Sequence, residues 1–225
     1  MTDSIPFPRT IRSFVLRAGR ITSAQQQALD TLWPRYGIDP KDAALDFDAL
    51  FGRKAPVILE IGFGNGESLA TMAEQNSSHD FLGVEVHRPG VGHLLQLIHA
   101  RQLKNVRLIC RDAVEVLVEN ISDVSLAGIN LFFPDPWPKK RHHKRRIVQP
   151  DFIELMARKL KPGGLFHFAT DWQDYMEHVM TVMTGSKSFT KVVTDEALPR
   201  PATKFQRRGQ KLGHGVWDLV YRKIL

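Results

Sequence analysis

The fold of this chain of 225 residues is decided by the stretch VILEIGFGNGESLATMAEQN, Val57–Asn76. It begins with VILEI, a short apolar run of the kind that forms a buried strand, and three glycines follow in GFGNG. From Glu67 onward the spacing is helical, with Leu69 and Met72 on one apolar side. The stretch therefore predicts a buried strand, a tight glycine turn and a helix.

The same unit of strand and helix recurs along the chain. Further strands are predicted at Asp80–Val86, Val106–Cys110, Ala127–Phe133, Gly164–Asp171, Ser188–Asp195 and Gly215–Leu225. Helices are predicted at Ser23–Tyr36 with Ser23 as N-cap, Gly90–Leu103, Asp112–Asn120, Pro150–Gly164 and Trp172–Met183. Such alternation requires parallel pairing through right-handed crossovers. It predicts a doubly wound, Rossmann-like α/β fold with a seven-stranded sheet whose last strand is antiparallel.

Charge and composition limit the environment and the partners of the protein. The formal net charge is +7 and the sequence pI is about 9.7, which favours a polyanionic partner. The first twenty residues carry four arginines against one aspartate, so residues 1–50 are predicted to form a basic N-terminal arm with one helix, and residues 51–225 the main domain. A single cysteine, no secretory signal and no bilayer-spanning apolar run predict a soluble, cytoplasmic protein.

Acidic side chains follow the predicted strands at the edge where open parallel sheets bind ligands. A dinucleotide-binding turn would have glycine where Glu67 stands, and a carboxylate there suits a pyrophosphate badly. Glu85 lies at the end of the second strand, where it can accept both hydroxyls of a ribose, and Asp112 follows the third, within reach of an adenine amino group. Together with Glu60 these acids favour a cationic adenosine ligand without phosphates, namely S-adenosylmethionine. Each acid alone could equally be a helix cap or a surface charge.

A second stretch, LFFPDPWPKKRHHKRR at Leu131–Arg146, joins a predicted strand end to a basic run. Asp135 lies between two prolines and is expected to project toward the transferable methyl group. Trp137 offers a flat face on which an extruded base could stack. From Lys139 to Arg146, six of eight residues are Lys or Arg, which suits phosphates better than a plain solvated loop.

Three motifs in the chain resemble those of one family. EIGFGNG at Glu60–Gly66, FPDPWPKKRHHKRR at Phe133–Arg146 and TKFQRRGQKLGHGVWDL at Thr203–Leu219 are similar to the bacterial tRNA (guanine-N7)-methyltransferases. The resemblance runs from about Arg17 to the C-terminus. It implies methyl transfer from S-adenosylmethionine to a guanine in the tRNA variable loop, at position 46.

The resemblance also implies roles for individual residues. Asp135 is the proposed catalytic residue. The glycine turn and the acids make up the expected cofactor site: Glu60, Gly62, Gly64, Gly66, Glu85, Asp112 and Asp135. Expected substrate contacts are Lys139, Asp171, Thr203, Lys204, Phe205 and Gln206, and the expected RNA-contacting loop comprises Arg141, His142, His143, Lys144, Arg145 and Arg146. The family usually has glutamate at the position of Gln206, and Pro138 replaces a polar residue found in several members.

Other functions are compatible with parts of the pattern. PDPW partly resembles the Asp-Pro-Pro-aromatic motif of exocyclic-amine methyltransferases, so that activity, or methylation of another RNA base, is an alternative. A noncatalytic RNA-binding module on the same fold would explain the charge and the aromatic residues, although the complete set of acids argues against it. A nicotinamide dehydrogenase is disfavoured by Glu67. His142 and His143 lack further ligands at metal-binding spacing, so no metal is expected, and no obligatory protein partner is inferred.

Overall fold

The computed structural model describes residues 11–15, 19–41, 43–201 and 215–224. The strands are β1 (Gly37–Ile38), β2 (Val57–Ile61), β3 (Asp80–Val84), β4 (Val106–Ile109), β5 (Leu126–Phe132), β6 (Leu160–Thr170), β7 (Phe189–Val192) and β8 (Trp217–Lys223). The α-helices are α1 (Ser23–Tyr36), α2 (Phe47–Phe51), α3 (Glu67–Gln75), α4 (Arg88–Ala100), α5 (Ala113–Glu119), α6 (Pro150–Lys159) and α7 (Gln173–Thr184). Helices and strands alternate as the sequence predicts.

All the described strands belong to one sheet with the order β1-β4-β3-β2-β5-β6-β8-β7. The strands β1 to β6 pair in parallel, and β8 is antiparallel to both β6 and β7. The chain order reverses between β2 and β5, which opens a crevice beyond the carboxyl ends of these two central strands. The doubly wound α/β class with an antiparallel final strand is confirmed.

The two faces of the sheet bury separate apolar clusters. One cluster includes Leu59, Ile129 and Phe168 with the inner sides of α5, α6 and α7. The other includes Phe81 and residues of α1, α3 and α4. Burying one such side chain stabilises the fold by roughly 1.5–3 kcal/mol. The sheet is therefore covered on both faces, and its carboxyl edge is left as the place for a ligand.

Several boundaries differ from the sequence-based predictions. The described residues form a sheet of eight strands rather than seven, because Gly37–Ile38 pairs with β4, and two residues are too short to show a strand pattern. The helix α6 ends at Lys159 and not at Gly164, since Pro162 disfavours helical backbone at the residue before it and Leu160 already pairs with Leu126.

The N-terminal part of the described chain packs on the same sheet. The N-cap of α1 is Thr22 rather than Ser23, and Thr22 and Gln25 form a reciprocal capping box. Through β1 this region is hydrogen-bonded to β4. The division at residue 50 stays a prediction about the organisation of the chain.

None of the helices formed by the described residues combines the length and the apolar character that crossing a membrane requires.

Gly66 is required at the start of α3 by both its backbone and its surroundings. Its φ is +76°, and an added Cβ would lie 2.6 Å from the Cβ of Leu94. Gly66→Ala is therefore expected to lower the free energy of unfolding by about 2–4 kcal/mol, as backbone strain and overpacking add. Urea denaturation measures this change. Gly52→Ala is the control, because Gly52 has φ +70° with open space around it and should lose only the strain contribution; equal losses in the two variants would contradict the packing argument.

Candidate active site

A cavity lies beyond the carboxyl ends of the central strands, at the crevice between β2 and β5. Its wall contains Gly62, Gly64, Glu85, Asp112 and Asp135, all of which the sequence analysis assigned to a cofactor site. Apolar side chains from the strand ends complete this part of the wall: Ile61, Val84 and Leu131. The structure thus brings together acids that are separated by up to about fifty residues along the chain.

The glycine turn places backbone rather than side chains against the cavity. Gly62 and Gly64 have φ values of +69° and +58°, and a Cβ at either position would meet no other atom within 4 Å. Their left-handed backbone, together with this open space, explains why glycine is suited to these positions. Gly66 does not line the cavity; its absent side chain leaves room for Leu94 instead.

Glu85 organises the turn and faces the cavity at the same time. Its Oε2 accepts a hydrogen bond from the Gly64 N–H at 2.9 Å, and its Oε1 accepts from the N–H groups of Val86 at 2.7 Å and His87 at 3.0 Å. A carboxylate has about four acceptor positions, so about one further donor, such as a ribose hydroxyl, can still be accepted. Glu85 is therefore both a structural and a candidate ligand-binding residue.

Asp112 combines the two roles that the sequence left open. It is the N-cap of α5, where its Oδ1 accepts a hydrogen bond from the Val114 N–H at 2.9 Å, and it also lies in the cavity wall. Capping uses one oxygen of the carboxylate in this way and orients the group. The helix cap therefore does not compete with ligand binding.

Glu60 lies below the cavity and is not part of its lining. It is 2% exposed, and within the described part of the chain its Oε2 has no hydrogen-bond partner. In the sheet it is level with Asn130 and then His167 on the neighbouring strands, so three buried polar residues form a row on one face. Burial raises the pKa of Glu60 from 4.5 to about 8, while the nearby charge of Arg200 opposes the rise.

The raised pKa of Glu60 predicts a specific pH dependence of stability. A carboxyl whose pKa is higher in the folded state favours folding most below its ordinary pKa, and this contribution is lost as the pH rises from 4.5 to about 8. The loss is about 1.4 kcal/mol per pH unit in that window. Without added ligand, the stability of the wild type relative to Glu60→Gln should fall between pH 5 and pH 8 in urea denaturation; parallel pH curves would show that Glu60 does not titrate there.

Asp135 lies exposed at the edge of the cavity on a strained stretch of backbone. Phe133 and Trp137, two residues to either side, have φ values of +50° and +47°, in the left-handed region that residues other than glycine rarely adopt. Each such residue costs on the order of 1–3 kcal/mol, and strain of this kind concentrates at functional sites. The Phe133 N–H donates to the Ala169 carbonyl at 2.8 Å, which ties the strained segment to β6.

Trp137 is more enclosed than the sequence suggested. Its Nε1 donates to the Ser13 carbonyl at 3.0 Å, and the Arg145 guanidinium carbon lies 4.1 Å from the centroid of its ring. One face of the indole is therefore already covered by a cation. Ser13 and Phe14 also line the cavity, and Arg145 Nε donates to the Arg12 carbonyl at 3.2 Å. The sequence showed only a basic arm, and nothing in it indicated that residues 12–14 reach the site.

The basic loop, defined as Lys139–Arg146, leaves the cavity edge and forms a 3₁₀ helix at Lys140–Arg145. Its exposed cations are Lys139, Lys140, Arg141 and Lys144, whereas His142, His143 and Arg145 are half-buried. The loop therefore presents a concentrated positive surface beside Asp135.

Arg146 does not fit its predicted role as an RNA contact. It is 2% exposed, pairs with Asp174, donates to the Pro136 carbonyl at 3.0 Å and lies 4.8 Å from the ring centroid of Tyr175. A buried guanidinium with these partners cannot reach a phosphate outside the protein. Arg146 instead anchors the basic loop to α7, and we exclude it from the RNA-contacting set.

Asp171 lies outside the cavity lining, in an open cleft with Trp172 and Trp217. It directly precedes Trp172, the N-cap of α7. The other expected substrate contacts, Thr203, Lys204, Phe205 and Gln206, lie outside the described residues. Within the part of the chain that the structure describes, no three His, Cys, Asp or Glu side chains form a group that could hold a metal ion.

The chain is similar in sequence to known methyltransferases. A family model described as "Putative methyltransferase" matches residues 54–219. A tRNA (guanine-N(7)-)-methyltransferase of Methylococcus capsulatus is 57% identical over 99% of this chain and 100% of its own, and that of Alcanivorax borkumensis is 54% identical over 96% and 92%. The chain belongs to the tRNA (guanine-N(7)-)-methyltransferase family and is an enzyme.

Solved structures show the same fold in more distant proteins. The 16S rRNA methyltransferase KamB superposes with a TM-score of 0.59 at 14% identity, covering 85% of this chain and 99% of its own. A putative methyltransferase from Streptococcus mutans, in complex with SAH, has a TM-score of 0.51 at 12% identity, covering 91% and 100%. At these identities the similarity concerns the fold alone.

Proposed function

We propose that this protein transfers the methyl group of S-adenosylmethionine to N7 of the guanosine at position 46, in the variable loop of tRNA, in the cytoplasm. The observation that carries the proposal is the convergence of Glu85, Asp112 and Asp135 on one cavity beside the basic loop. The names of the close relatives support the same substrate atom.

The cavity suits a cationic nucleoside without phosphates. S-adenosylmethionine supplies a methyl group activated by a sulfonium. Glu85 would accept a hydrogen bond from a ribose hydroxyl, and Asp112 would accept one from the adenine amino group. The glycine turn lets the chain approach the amino acid tail, and the buried Glu60 below it can supply negative charge when ionised.

The reaction depends mainly on how guanine N7 and the methyl donor are positioned relative to each other. Guanine N7 has a lone pair and no proton, so no residue has to act as a general base. Holding two reactants in line can contribute as much as about 7–11 kcal/mol to lowering the barrier. The guanine becomes cationic during the transfer, and a carboxylate at the position of Asp135 favours that charge. Asp171 would accept from the N1–H and amino group of guanine.

The basic loop would bind the tRNA backbone next to the reacting base. Its exposed lysines and Arg141 lie beside Asp135 in the chain and lead away from the cavity edge. Phosphate contacts of this kind position a nucleic acid without reading its sequence. Arg145, which covers Trp137, would have to move before a base could stack on that face of the indole.

Neutralising the exposed part of the basic loop should weaken tRNA binding and flatten its salt dependence. For the triple variant Lys139→Gln, Lys140→Gln, Lys144→Gln, we expect the slope of log K against log salt to fall by about 2 to 3, roughly one unit for each lost phosphate contact. Fluorescence anisotropy of labelled tRNA at several salt concentrations measures the slope.

The matched control removes three exposed lysines at the opposite edge of the sheet, before β2, β4 and β7: Lys54→Gln, Lys104→Gln and Lys187→Gln. Its net charge change is the same, and its salt slope should stay close to that of the wild type. Equal slopes for the two triple variants would remove the phosphate role of the basic loop.

The direct test incubates the purified protein with labelled S-adenosylmethionine and unmodified tRNA, followed by nucleoside analysis by mass spectrometry. The proposal expects 7-methylguanosine, and it expects the label to be lost when guanosine 46 is replaced by adenosine. Label on an exocyclic amine would support the amine methyltransferase alternative. Tight tRNA binding with no label transfer and no cofactor binding in calorimetry would support the noncatalytic RNA-binding module.

A further inference from the structure

A partly buried cluster formed by Arg200, Asp218 and His167 lies behind the strand end that leads to Asp135; we call it the Asp218 cluster. Arg200 donates two hydrogen bonds to the Asp218 carboxylate, from Nε at 2.9 Å and from Nη2 at 2.8 Å. His167 Nε2 lies 2.8 Å from Asp218 Oδ1 and must be the donor, because an ionised carboxylate can only accept. The side chains of Arg200 and His167 are 5% and 6% exposed.

The Asp218 carboxylate stays ionised over a wide pH range. Burial alone raises the pKa of the Asp218 carboxyl, but the hydrogen bonds from His167 and Arg200 outweigh this effect and hold the pKa well below its usual value. His167 lies on β6 and Asp218 on β8, whereas Arg200 lies in the segment that follows β7. The cluster therefore joins separate parts of the chain. Two-pronged pairing between Arg and carboxylate also fixes the plane of the guanidinium.

The guanidinium of Arg200 packs against the aromatic residues at the end of β5. The guanidinium carbon of Arg200 lies 5.5 Å from the ring centroid of Phe132 and 5.1 Å from that of Phe133. The ring of His167 meets Phe132 edge-on, with centroids 4.9 Å apart. Both side chains that Asp218 orients therefore pack against the last apolar residues before Asp135.

Those aromatic residues include the strained Phe133. A left-handed backbone at a bulky residue persists only when its surroundings hold it in place. One constraint is the hydrogen bond from Phe133 N–H to Ala169, and the packing of Arg200 on its ring is a second. Asp135 follows two residues later, with Pro134 between them to limit the freedom of the chain. The conformation of Phe133 is thus one constraint on the position of Asp135.

We infer that Asp218 is a positioning residue that, through Arg200 and His167, fixes the end of β5 so that Asp135 is held against the reacting base. The inference rests on the proposed function, since it assigns Asp135 a place beside the transferred methyl. Asp218 itself does not line the cavity, so it acts only through the side chains that it orients. Within the described part of the chain, the hydrogen bonds and ion pairs of Asp218 do not involve the glycine turn or the basic loop.

Asp218→Asn is the central test, because it keeps the shape of the side chain but removes its charge. We expect kcat at saturating tRNA and S-adenosylmethionine to fall on the order of 10- to 100-fold, the effect of displacing a catalytic group by about 1 Å. The KM for tRNA and the calorimetric Kd for S-adenosylmethionine should each stay within about 3-fold. A wild-type kcat in the folded variant would overturn the inference.

Arg53, whose side chain is 41% exposed, offers a control for the loss of an ion pair with one buried partner. It bonds to Asp80, which is 1% exposed, at the amino end of β3 and far from the cavity edge. Arg53→Met should lower the melting temperature, yet leave kcat within about 2-fold because no catalytic group is displaced. If Arg53→Met and Asp218→Asn reduced kcat equally, loss of stability would explain both variants and the positioning role would be rejected.

Two variants of Arg200 test the route of the effect. Arg200→Met removes the charge and the hydrogen bonds, whereas Arg200→Lys keeps the charge but not the planar fork. Compared with Arg200→Met, Arg200→Lys should therefore restore most of the lost melting temperature but little of the lost kcat. Adding Arg200→Met to Asp218→Asn should cause little further loss, since both changes break one unit. Additive losses would overturn the inference. A wild type that forms no 7-methylguanosine would refute the proposed function instead, whereas an active wild type with fully active variants would refute only the role of Asp218.

Discussion

Asp135→Asn is expected to lower kcat for tRNA methylation by about 10²–10³-fold, the range found when one preorganised electrostatic group is removed from an active site. The amide has the same shape but no charge, so it can still be presented at the edge of the cavity and can no longer favour the cationic guanine. Because Asp135 is exposed, the fold and the affinity for tRNA should change little. Single-turnover kinetics with labelled S-adenosylmethionine measure the chemical step directly.

The control for Asp135→Asn is Asp195→Asn, which changes the net charge equally at an exposed position after β7. Its kcat should match that of the wild type. Methyl transfer at the wild-type rate in Asp135→Asn would remove Asp135 from the mechanism, while a loss in both variants would point to a long-range effect of net charge.

Glu85→Ala is expected to raise the Kd for S-adenosylmethionine by about 100-fold or more. The carboxylate accepts three backbone hydrogen bonds that shape the turn, and it is expected to accept a ribose hydroxyl as well. A hydrogen bond to a charged group contributes about 1.5–3 kcal/mol, so losing one bond to the ribose, together with the three bonds that shape the turn, accounts for that factor. Isothermal calorimetry measures the Kd.

Two further glutamate variants test whether the higher Kd comes from the lost acceptor oxygens of Glu85. Glu85→Gln should lose nearly as much affinity, because in either orientation of the amide its NH₂ group would face at least one backbone N–H donor where an oxygen now accepts. Glu74→Gln removes a half-exposed acid that pairs with Arg101 on the far side of α3, and its Kd should stay within about 3-fold. A wild-type Kd for Glu85→Ala would exclude Glu85 from the cofactor site.

The central fold could be predicted from the sequence because its signals are local and strong. VILEI is buried at every position, and the glycine turn and α3 follow it as the spacing indicates. The missing element, β1, is defined by its pairing with β4 and not by any pattern of its own residues. The misplaced end of α6 shows the same limit, since its helical spacing continued past the residue at which pairing with β5 begins.

The acids of the site were predictable for a topological reason. Glu85, Asp112 and Asp135 each follow a parallel strand, and the carboxyl ends of such strands lie at one edge. Tertiary contacts were not predictable in the same way. Arg146 looks like its exposed neighbours in the sequence, and only the position of α7 turns it inward. The approach of residues 12–14 to the cavity likewise depends on contacts with Trp137 and Arg145 across more than a hundred residues.

Among the described residues, the two edges of the open sheet have no further strand beside them, which has a consequence for the protein in a crowded cell. An unpaired edge offers its backbone groups to any extended chain nearby, which is a common start of aggregation. Here one edge is the two-residue β1, and the other is the four-residue β7, with Thr190 and Lys191 exposed on it. Edges this short, one of them carrying a charge, are poor templates for strand addition and protect an otherwise extendable sheet from self-association.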